Sequence, residues 1–384
     1  MKTRSTILSA MLFLLIGGVI QRGEAAFDAE PQNNSHTTAP SLSLGWGFVR
    51  GSGSLWYSGD HSDWYKLTTG NAAKRVWIYV NTGSASATAN SSSPPGHSQV
   101  YLYNASTNLI EADAFDGAQT LNSSSIGSRL LPPGQNYYIK VEARAWSGDF
   151  YVPRDLSSYQ LNVALVGGLA APLSEDFSNN TPEEADNMIA SSVPATYVTE
   201  RSGTFSSFSD VDYYSVGALK NSVLYISADC DPDKDLNGTD LRLELIAPDK
   251  STVLFTANSS GQTSLGPAGI NKTPVSEAFN YTVPAMGLYY VRVTKVAASQ
   301  YNNYFLMVAR KDPPVFIGSI LDAGNFHLRW HGHQGDNYQV QGTTDMQNWT
   351  RLSDILPGTD GIQEFVDLGA ARRPTRLYRL VTLP

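Results

Sequence analysis

The feature that most constrains this chain is an internal repeat. Within 384 residues the same short motifs occur twice in the same order, at an offset of roughly 150 residues. The corresponding segments, first copy before second, are 60–65 and 210–214, 76–80 and 223–226, 100–103 and 241–245, 134–141 and 287–293, and 159–163 and 304–308. A repeat of this length predicts two domains of the same fold.

Both copies consist of short segments in which apolar and polar residues alternate. Gly, Pro, Asn and Ser separate these segments, and the chain contains 32 Gly and 11% aromatic residues. Alternation with a period of two is typical of half-buried strands, and the separating residues favour turns. Only residues 182–189, which follow a capping Thr181, are expected to form a turn or two of helix. We therefore predict an all-β protein of tandem antiparallel β-sandwiches, with two repeated jelly-roll-like units and a small C-terminal sandwich.

Two short segments mark boundaries between the predicted sandwiches. Residues 167–172 are mostly small, and residues 311–314 contain two consecutive prolines, which end a strand. The sequence predicts a first sandwich over 27–166, a second over 173–310 and a third, smaller unit over 315–384. We expect these units to behave as independent modules joined by linkers.

Residues 1–26 have the three parts of a secretory signal peptide. Lys2 and Arg4 supply positive charge, residues 7–20 are apolar, and small residues precede a cleavage site near Ala25. The apolar run is shorter than the ~20 residues of a membrane-spanning helix. We expect a secreted protein, extracellular or periplasmic, with no membrane span in the mature chain. An uncleaved anchor is the alternative.

Charge and cysteine content exclude several classes of protein and site. The net charge of −8 argues against a nucleic-acid partner, because basic surfaces bind phosphate backbones. The single cysteine, Cys230, excludes an intramolecular disulfide and a cysteine-rich zinc site. The sequence contains neither a Gly-x-Ser-x-Gly elbow nor a His-Glu-x-x-His zinc motif. We therefore expect no enzyme activity, although the plentiful carboxylates leave a glycosidase open.

Three motifs in the repeated region resemble those of one bacterial domain family. They are Glu-x-x-Asn-Asn from Glu30, Asp-x-Asp-Tyr-Tyr from Asp210 and Gly-x-Tyr-Tyr-x-Arg-Val from Gly287. Over roughly residues 27–310 the chain resembles two tandem pre-peptidase C-terminal domains, β-sandwiches that accompany secreted peptidases and that include collagen-binding modules. The first copy departs from the pattern with Trp64 in place of a Tyr.

The tail of the chain resembles a different module. Its motifs are Tyr-Gln-Val-Gln from Tyr338, Asn-Trp-Thr from Asn348 and Tyr-Arg-Leu from Tyr378. They are similar to those of a C-terminal, fibronectin type III-like β module of exported bacterial proteins. That resemblance implies no chemistry for residues 315–384.

The first resemblance implies a calcium site in each copy. In the collagen-binding relatives, acidic and Asn side chains of the leading segment and two Asp residues before the aromatic pair hold calcium. The matching positions are Glu30, Asn33, Asn34, Asp60 and Asp63 in the first copy, and Glu175, Asn179, Asn180, Asp210 and Asp212 in the second. Oxygen ligands are what this hard cation requires. The alternative is that the Asn pairs form turns and the Asp residues cap loops.

A second candidate calcium site is local. Residues 229–240 contain five Asp, and such crowding repels itself unless water or a cation neutralises it. The spacing from Asp233, Asp235 and Asn237 to Glu244 fits an EF-hand loop. Predicted strands flank the loop, however, so we expect Glu244 to face away. Calcium bound by Asp233, Asp235 and Asn237 without Glu244 stays open beside a solvated acidic turn.

These observations predict an exported, non-catalytic binding or accessory protein that calcium stabilises. Its partner would be an extracellular protein or polysaccharide that the sequence does not identify. Two alternatives stay open. One is a secreted hydrolase, a peptidase or glycosidase with unrecognised catalytic carboxylates, and the other is a structural spacer or adhesin.

Overall fold

The computed structural model describes most of the chain after residue 32. The described ranges are 33–42, 44, 47–55, 60–82, 97–114, 123–147, 150–153, 156–167, 172–176, 178–189, 196–235, 237–258, 277–296, 300–332, 336–359, 361–370 and 376–383. The predicted signal peptide over residues 1–26 and the candidate ligand Glu30 lie outside these ranges. The described residues fall into two compact units, which divide between Pro313 and Pro314.

The first repeat folds into two facing antiparallel sheets. Its strands are β1 (Phe48–Leu55), β2 (Ser62–Thr68), β3 (Lys74–Asn81), β4 (His97–Tyr103), β5 (Leu109–Ala114), β6 (Ser124–Leu131), β7 (Asn136–Ser147), β8 (Phe150–Pro153) and β9 (Leu156–Gly167). One sheet has the order β1-β9-β3-β6, and the other has the order β2-β7-β4-β5 with β8 pairing β7. Alternating residues of both sheets, such as Tyr65, Ile78 and Leu161, are buried between them as one core.

The second repeat has the same construction. Its strands are β10 (Leu173–Ser174), β11 (Asp186–Ile189), β12 (Thr196–Thr204), β13 (Val211–Ala218), β14 (Val223–Asp229), β15 (Leu241–Ile246), β16 (Val253–Ala257), β17 (Glu277–Thr282), β18 (Gly287–Lys295) and β19 (Asn303–Lys311). The two sheets have the orders β10-β12-β19-β14-β17 and β11-β13-β18-β15-β16. A separate core, including Tyr214, Leu243 and Val291, lies between them.

Strand order confirms the repeat that the motifs predict. The sheet β1-β9-β3-β6 corresponds to β12-β19-β14-β17, and the sheet β2-β7-β4-β5 corresponds to β13-β18-β15-β16. Each matched sequence segment therefore occupies the same strand in both sandwiches. The all-β prediction is confirmed.

Two details differ from the prediction. Strands β10 and β11 pair in parallel with β12 and β13, so the second sandwich is not purely antiparallel. Residues 182–189 form a turn that leads into β11 and do not form a helix. Thr181 opens this turn, since Glu184 N donates to Thr181 O at 3.1 Å and the Thr181 hydroxyl donates to Glu184 Oε2 at 3.0 Å. The turn ends because residues 186–189 gain backbone bonds along β13, which a short isolated helix lacks.

The two sandwiches pack directly against each other. Strand β14 is buried at every residue, and β3 is buried at all but its first, so both strands are covered on both faces. Trp77 and Tyr79 from β3 join Tyr225 from β14 and Met307 from β19 in an apolar cluster outside either sandwich core. The described residues from 33 to 313 thus belong to one compact unit, and the independence of the two repeats stays a prediction.

Polar bonds cross the same interface. Arg75 Nη1 lies 3.0 Å from Glu200 Oε2, and Trp77 Nε1 donates to Glu200 Oε1 at 3.0 Å. Asn81 Nδ2 donates to Asn280 Oδ1 at 2.9 Å. These groups are buried, so each bond fixes the relative position of the two sandwiches as well as satisfying a polar atom.

The C-terminal unit is a small sandwich with its own core. Its strands are β20 (Phe316–Asp322), β21 (Asn325–Gly332), β22 (Asn337–Thr343), β23 (Thr350–Arg351), β24 (Leu356–Pro357), β25 (Gly361–Asp367) and β26 (Leu377–Leu383). One sheet is β20-β21-β25, and in the other β22 pairs β23, β24 and β26. Trp330, Tyr338 and Val340 are central to its apolar core.

A search of the described residues for a helix long and apolar enough to cross a membrane finds none.

Candidate functional site

The leading segment of each repeat is the stretch before its predicted aspartates, with Asn33 and Asn34 in the first repeat and Glu175, Asn179 and Asn180 in the second. It lies beside the strand that carries those aspartates. Trp64 N donates to Asn33 O at 2.8 Å, and the corresponding bond runs from Tyr213 N to Asn179 O, also at 2.8 Å. Asn33 and Asn179 are buried. The same backbone bond therefore brings the Asn pair to the start of β2 in one repeat and of β13 in the other.

In the second repeat two carboxylates and two tyrosine hydroxyls form a buried network. Tyr304 Oη donates to Asp212 Oδ2 at 2.5 Å and lies 2.7 Å from Tyr214 Oη. Tyr214 Oη donates to Glu175 Oε2 at 2.7 Å, and Thr204 N donates to Glu175 Oε1. The network ties β10, β12, β13 and β19 together at one end of the sandwich.

The first repeat contains the matching half of this network. Tyr159 Oη donates to Asp63 Oδ2 and is hydrogen-bonded to Tyr65 Oη. Asp63 is fully buried. Glu30, which corresponds to Glu175, lies outside the described residues, so its predicted role stays a prediction.

Two glycines make room for the tyrosines of these networks. A Cβ on Gly203 would lie 2.1 Å from the Tyr304 ring, and a Cβ on Gly53 would lie 2.5 Å from the Tyr159 ring. Real atoms do not approach this closely, so only glycine lets the ring lie flat against β12 or β1. The matched Gly and Tyr of the two copies are thus one packing unit.

A second group of oxygens lies next to each network. The Asn34 amide, oriented so that its nitrogen faces the surrounding acceptors, donates to Asp60 Oδ1 at 2.5 Å and to Ser62 O at 3.1 Å. Asn180 does the same in the second repeat, at 2.7 Å from Asp210 Oδ1 and 3.0 Å from Val211 O.

These distances allow two states of each amide. With its nitrogen inward, the Asn donates two hydrogen bonds and no ion is needed. With its oxygen inward, an amide, a carboxylate and a carbonyl oxygen converge, which is the donor set that calcium takes. An amide, a carboxylate and a carbonyl group thus lie together at the start of β2 and at the start of β13.

Electrostatics in the second repeat disfavour a site of bare ionised carboxylates. Burial raises the pKa of Asp212 to about 8, opposed by the Tyr304 hydrogen bond and assisted by the nearby charges of Glu175 and Asp210. Burial also raises the pKa of Glu175, against the hydrogen bonds from Tyr214 and Thr204. A divalent cation would stabilise the ionised forms that burial and mutual repulsion oppose.

Part of the cluster also performs the loop-capping role that is the alternative to calcium. Asp210 Oδ2 accepts from Ser206 N at 2.5 Å, and Asp210 Oδ1 accepts from Val211 N at 3.0 Å. This carboxylate therefore closes the turn before β13 whether or not an ion is bound.

The acidic loop after β14 brings three carboxylates together. Asp231, Asp233 and Asp235 each place an oxygen within 4.8 Å of the other two. Of the described His, Cys, Asp and Glu side chains, only these three are so grouped. Asp231 was absent from the predicted ligands, although its spacing of two from Asp233 was a usable signal.

The other predicted loop ligand has a different function. Asn237 N donates to Asp235 Oδ1 at 2.8 Å, and Asn237 Nδ2 donates to Asp235 Oδ2 at 3.0 Å, so its amide braces the loop. Glu244, on β15, accepts from Arg292 Nε of β18 at 2.7 Å. The expectation that Glu244 faces away from the loop is confirmed.

Lys234 connects this loop to the first repeat. Its Nζ lies 2.8 Å from Asp229 Oδ2 and 3.6 Å from Glu111 Oε1 on β5. Nearby negative charges, Asp229 above all, raise the pKa of Lys234 against the effect of burial. The base of the loop is thus part of the contact between the sandwiches, whereas Asp233 and Asp235 are exposed to solvent.

Comparison with known proteins assigns no family to the chain. No family model and no curated protein matches it. Similar solved structures include PliG of Aeromonas hydrophila, a periplasmic lysozyme inhibitor, with 12% identity over 33% of this chain and 97% of that one, and a TM-score of 0.23. The CBM22-1-CBM22-2 tandem domain of Paenibacillus barcinonensis Xyn10C shares 12% identity over 71% of this chain and 96% of that one, with a TM-score of 0.18. The human MASP-1/3 CUB1-EGF-CUB2 fragment shares 10% identity over 68% of this chain and 99% of that one, with a TM-score of 0.17. At such scores these likenesses assign neither family nor function.

The structure brings most predicted ligands together as three separate groups. Asn34, Asp60 and Asp63 lie at the start of β2, Glu175, Asn180, Asp210 and Asp212 lie at the start of β13, and Asp233, Asp235 and Asn237 lie in the loop after β14. Sequence reasoning missed the tyrosine hydroxyls of Tyr159 and Tyr304. Their matched positions in the repeat were the available signal.

Proposed function

We propose that this chain is an exported, non-catalytic binding protein whose repeats are each stabilised by a calcium ion. Its partner is an extracellular protein or polysaccharide. The observation that supports calcium most directly is the matched grouping, in both repeats, of an Asn amide with an Asp carboxylate and a backbone carbonyl, around Asn34 and Asn180. A repeated arrangement of this kind indicates a shared requirement of the two sandwiches.

The chemistry of the donors favours calcium over other cations. Carboxylate, amide and carbonyl oxygens suit a hard cation, and the irregular geometry of a leading segment against a strand suits the flexible coordination of Ca²⁺. Mg²⁺ demands a regular octahedron and gives up its water reluctantly. The ion would hold the leading segment on β2 or β13 and neutralise the buried Asp63 or Asp212.

The loop with Asp231, Asp233 and Asp235 is a second place for a cation. Three converging carboxylates repel one another, and Lys234 already neutralises Asp229 at the base of the loop. Calcium there would stiffen a segment that contacts the first repeat through Glu111.

A chelation experiment tests the proposal. Removing divalent ions should lower the melting temperature, because an ion that binds only the folded state stabilises it by about 2.7 kcal/mol at a hundredfold excess over Kd. Adding Ca²⁺ should restore the melting temperature by several degrees, and Mg²⁺ should restore less. Differential scanning calorimetry measures both shifts.

Variants separate the proposed sites. Asp63→Asn and Asp212→Asn should each remove part of the calcium-dependent shift, and Asp235→Asn tests the loop. Asp249→Asn is the matched control, since this exposed carboxylate only caps the turn between β15 and β16 by accepting from Thr252 N at 2.8 Å. An unchanged melting temperature after chelation would mean that the amides of Asn34 and Asn180 donate to Asp and that the clusters are turn caps.

A further inference from the structure

A cleft of about 590 Å³ opens at one end of the second sandwich. It lies where β12 ends, where β19 begins and beside the acidic loop. Sites for small ligands occupy about 300–1,000 Å³, so the cleft is large enough for one or two sugar-sized groups. Its lining includes Thr204, Asp233, Tyr301, Asn302 and Asn303.

The described lining is rich in amides and hydroxyls and poor in charge. Four amide side chains contribute, those of Asn237, Gln300, Asn302 and Asn303. The described lining residues include no Lys, Arg or His, and Asp233 is their one charged side chain. A phosphate, sulfate or carboxylate ligand would meet repulsion from Asp233 and no cation among the described lining residues, so the lining favours a neutral ligand with many hydroxyl groups.

Two of these amides are held in fixed orientations. Lys295 Nζ donates to Asn302 Oδ1 at 2.6 Å, and Thr204 Oγ1 donates to Asn303 Oδ1 at 3.1 Å. Because each amide oxygen already accepts a bond, the amide N–H groups are the part left to act as donors. Donors held in place before binding reduce the entropy that a ligand must overcome.

Apolar side chains complete the lining. Tyr301 and Pro232 contribute ring-shaped side chains to the lining beside the amides. A pyranose ring has apolar C–H faces and a rim of hydroxyls, so it needs such a mixture of ring surfaces and hydrogen-bonding groups.

We infer that this cleft binds a neutral sugar unit of a polysaccharide or glycan. The inference deepens the proposed binding function and rests on it, because it names the ligand class and the place where the ligand binds. The amides of Asn302 and Asn303 donate to sugar hydroxyls, and Tyr301 packs against the ring.

Binding to defined oligosaccharides tests the inference. The probes are neutral hexasaccharides of β-1,4-linked glucose, xylose, mannose and N-acetylglucosamine, with a heparin hexasaccharide and gelatin as anionic and protein arms. Isothermal titration of the full chain should detect at least one neutral hexasaccharide. Asn303→Ala and Tyr301→Ala should each weaken that affinity at least tenfold.

The first repeat offers a matched control. Thr68 Oγ1 donates to Asn136 Oδ1 at 2.9 Å. This is an exposed cross-strand Thr–Asn pair of the same kind as Thr204 with Asn303, and it is not part of the cleft. Asn136→Ala should therefore leave sugar binding unchanged. Equal affinity in Asn303→Ala, Tyr301→Ala and the parent chain would overturn the assignment of the site.

The remaining outcomes separate this inference from the calcium proposal. Binding of heparin or gelatin alone, or of none of the probes, would overturn the ligand class even if chelation still lowers the melting temperature. Sugar binding by a chain whose melting temperature does not change on chelation would support sugar binding in the cleft and would overturn the calcium proposal. Melting curves of each variant show that lost affinity is not lost folding.

Discussion

At the scale of single residues, a matched Gly and Tyr make the same packing contact and position the same Tyr–Asp hydrogen bond in both repeats. The Tyr304 ring occupies the space in which a side chain at Gly203 would lie, and its hydroxyl then reaches Asp212. The Tyr159 ring and Gly53 stand in the same relation beside Asp63. The carboxylate network thus depends on residues about 100 positions away along the chain.

This geometry predicts the effect of one methyl group. Gly203→Ala should destabilise the chain by about 1–3 kcal/mol, because the ring must move and the bond from Tyr304 to Asp212 is disturbed. Urea denaturation measures the loss. Gly167→Ala is the control, since a Cβ there meets nothing within 4 Å, and we expect a change within about 0.5 kcal/mol. Equal effects of the two substitutions would contradict the packing explanation.

At the scale of elements, strand β13 and the leading segment form a site that makes the free energy of unfolding depend on pH. Asp212 has a folded pKa of about 8 against an ordinary value of 3.8. Between these values the folded state holds a proton that the unfolded chain has released. Raising the pH therefore favours unfolding.

The expected result is a loss of stability in chelated protein as pH rises from about 4 to about 8. Calcium should flatten this dependence, because a bound cation keeps Asp212 ionised. Asp212→Asn should flatten it too, since an amide does not titrate. Guanidinium denaturation at several pH values, with and without chelator, measures the slope. A chelated parent chain that gains stability over this range would contradict the raised pKa.

At the scale of the whole molecule, the contact between the sandwiches makes residues 24–313 one unit. Glu200 is central to it, because its carboxylate meets both Arg75 and Trp77. Burial raises the pKa of Glu200, while Arg75 opposes this shift. Removing this carboxylate would take from the largely buried Arg75 its ion-pair partner across the interface.

Glu200→Ala should therefore cost about 3–5 kcal/mol and lower the cooperativity between the repeats. Calorimetry should change from one transition for residues 24–313 toward two, and limited proteolysis should begin to cut between the sandwiches. Glu183→Ala is the control, since its pair with Lys250 at 2.9 Å is exposed and is worth about 0–1 kcal/mol. Two transitions in the parent chain would mean that the interface does not couple the repeats.

The sequence by itself determined the elements and their doubling. Period-two alternation between turn residues defines strands locally, and the matched order of motifs requires matched topology, so the all-β repeat was predictable. The Asp and Asn candidates were also predictable, because polar residues at matched positions before β2 and β13 stand out from the alternation.

Only the tertiary structure decided what covers the outer face of each sandwich and which distant residues meet. The apolar run of Val76–Val80 was consistent with a strand buried on both faces, but periodicity does not say what covers the second face. Packing of Trp77 and Tyr79 against Tyr225 supplies that cover. In the same way, the hydrogen bond from Tyr304 to Asp212 joins residues that lie 92 positions apart along the chain. Such contacts depend on how sheets pack, which local sequence does not encode.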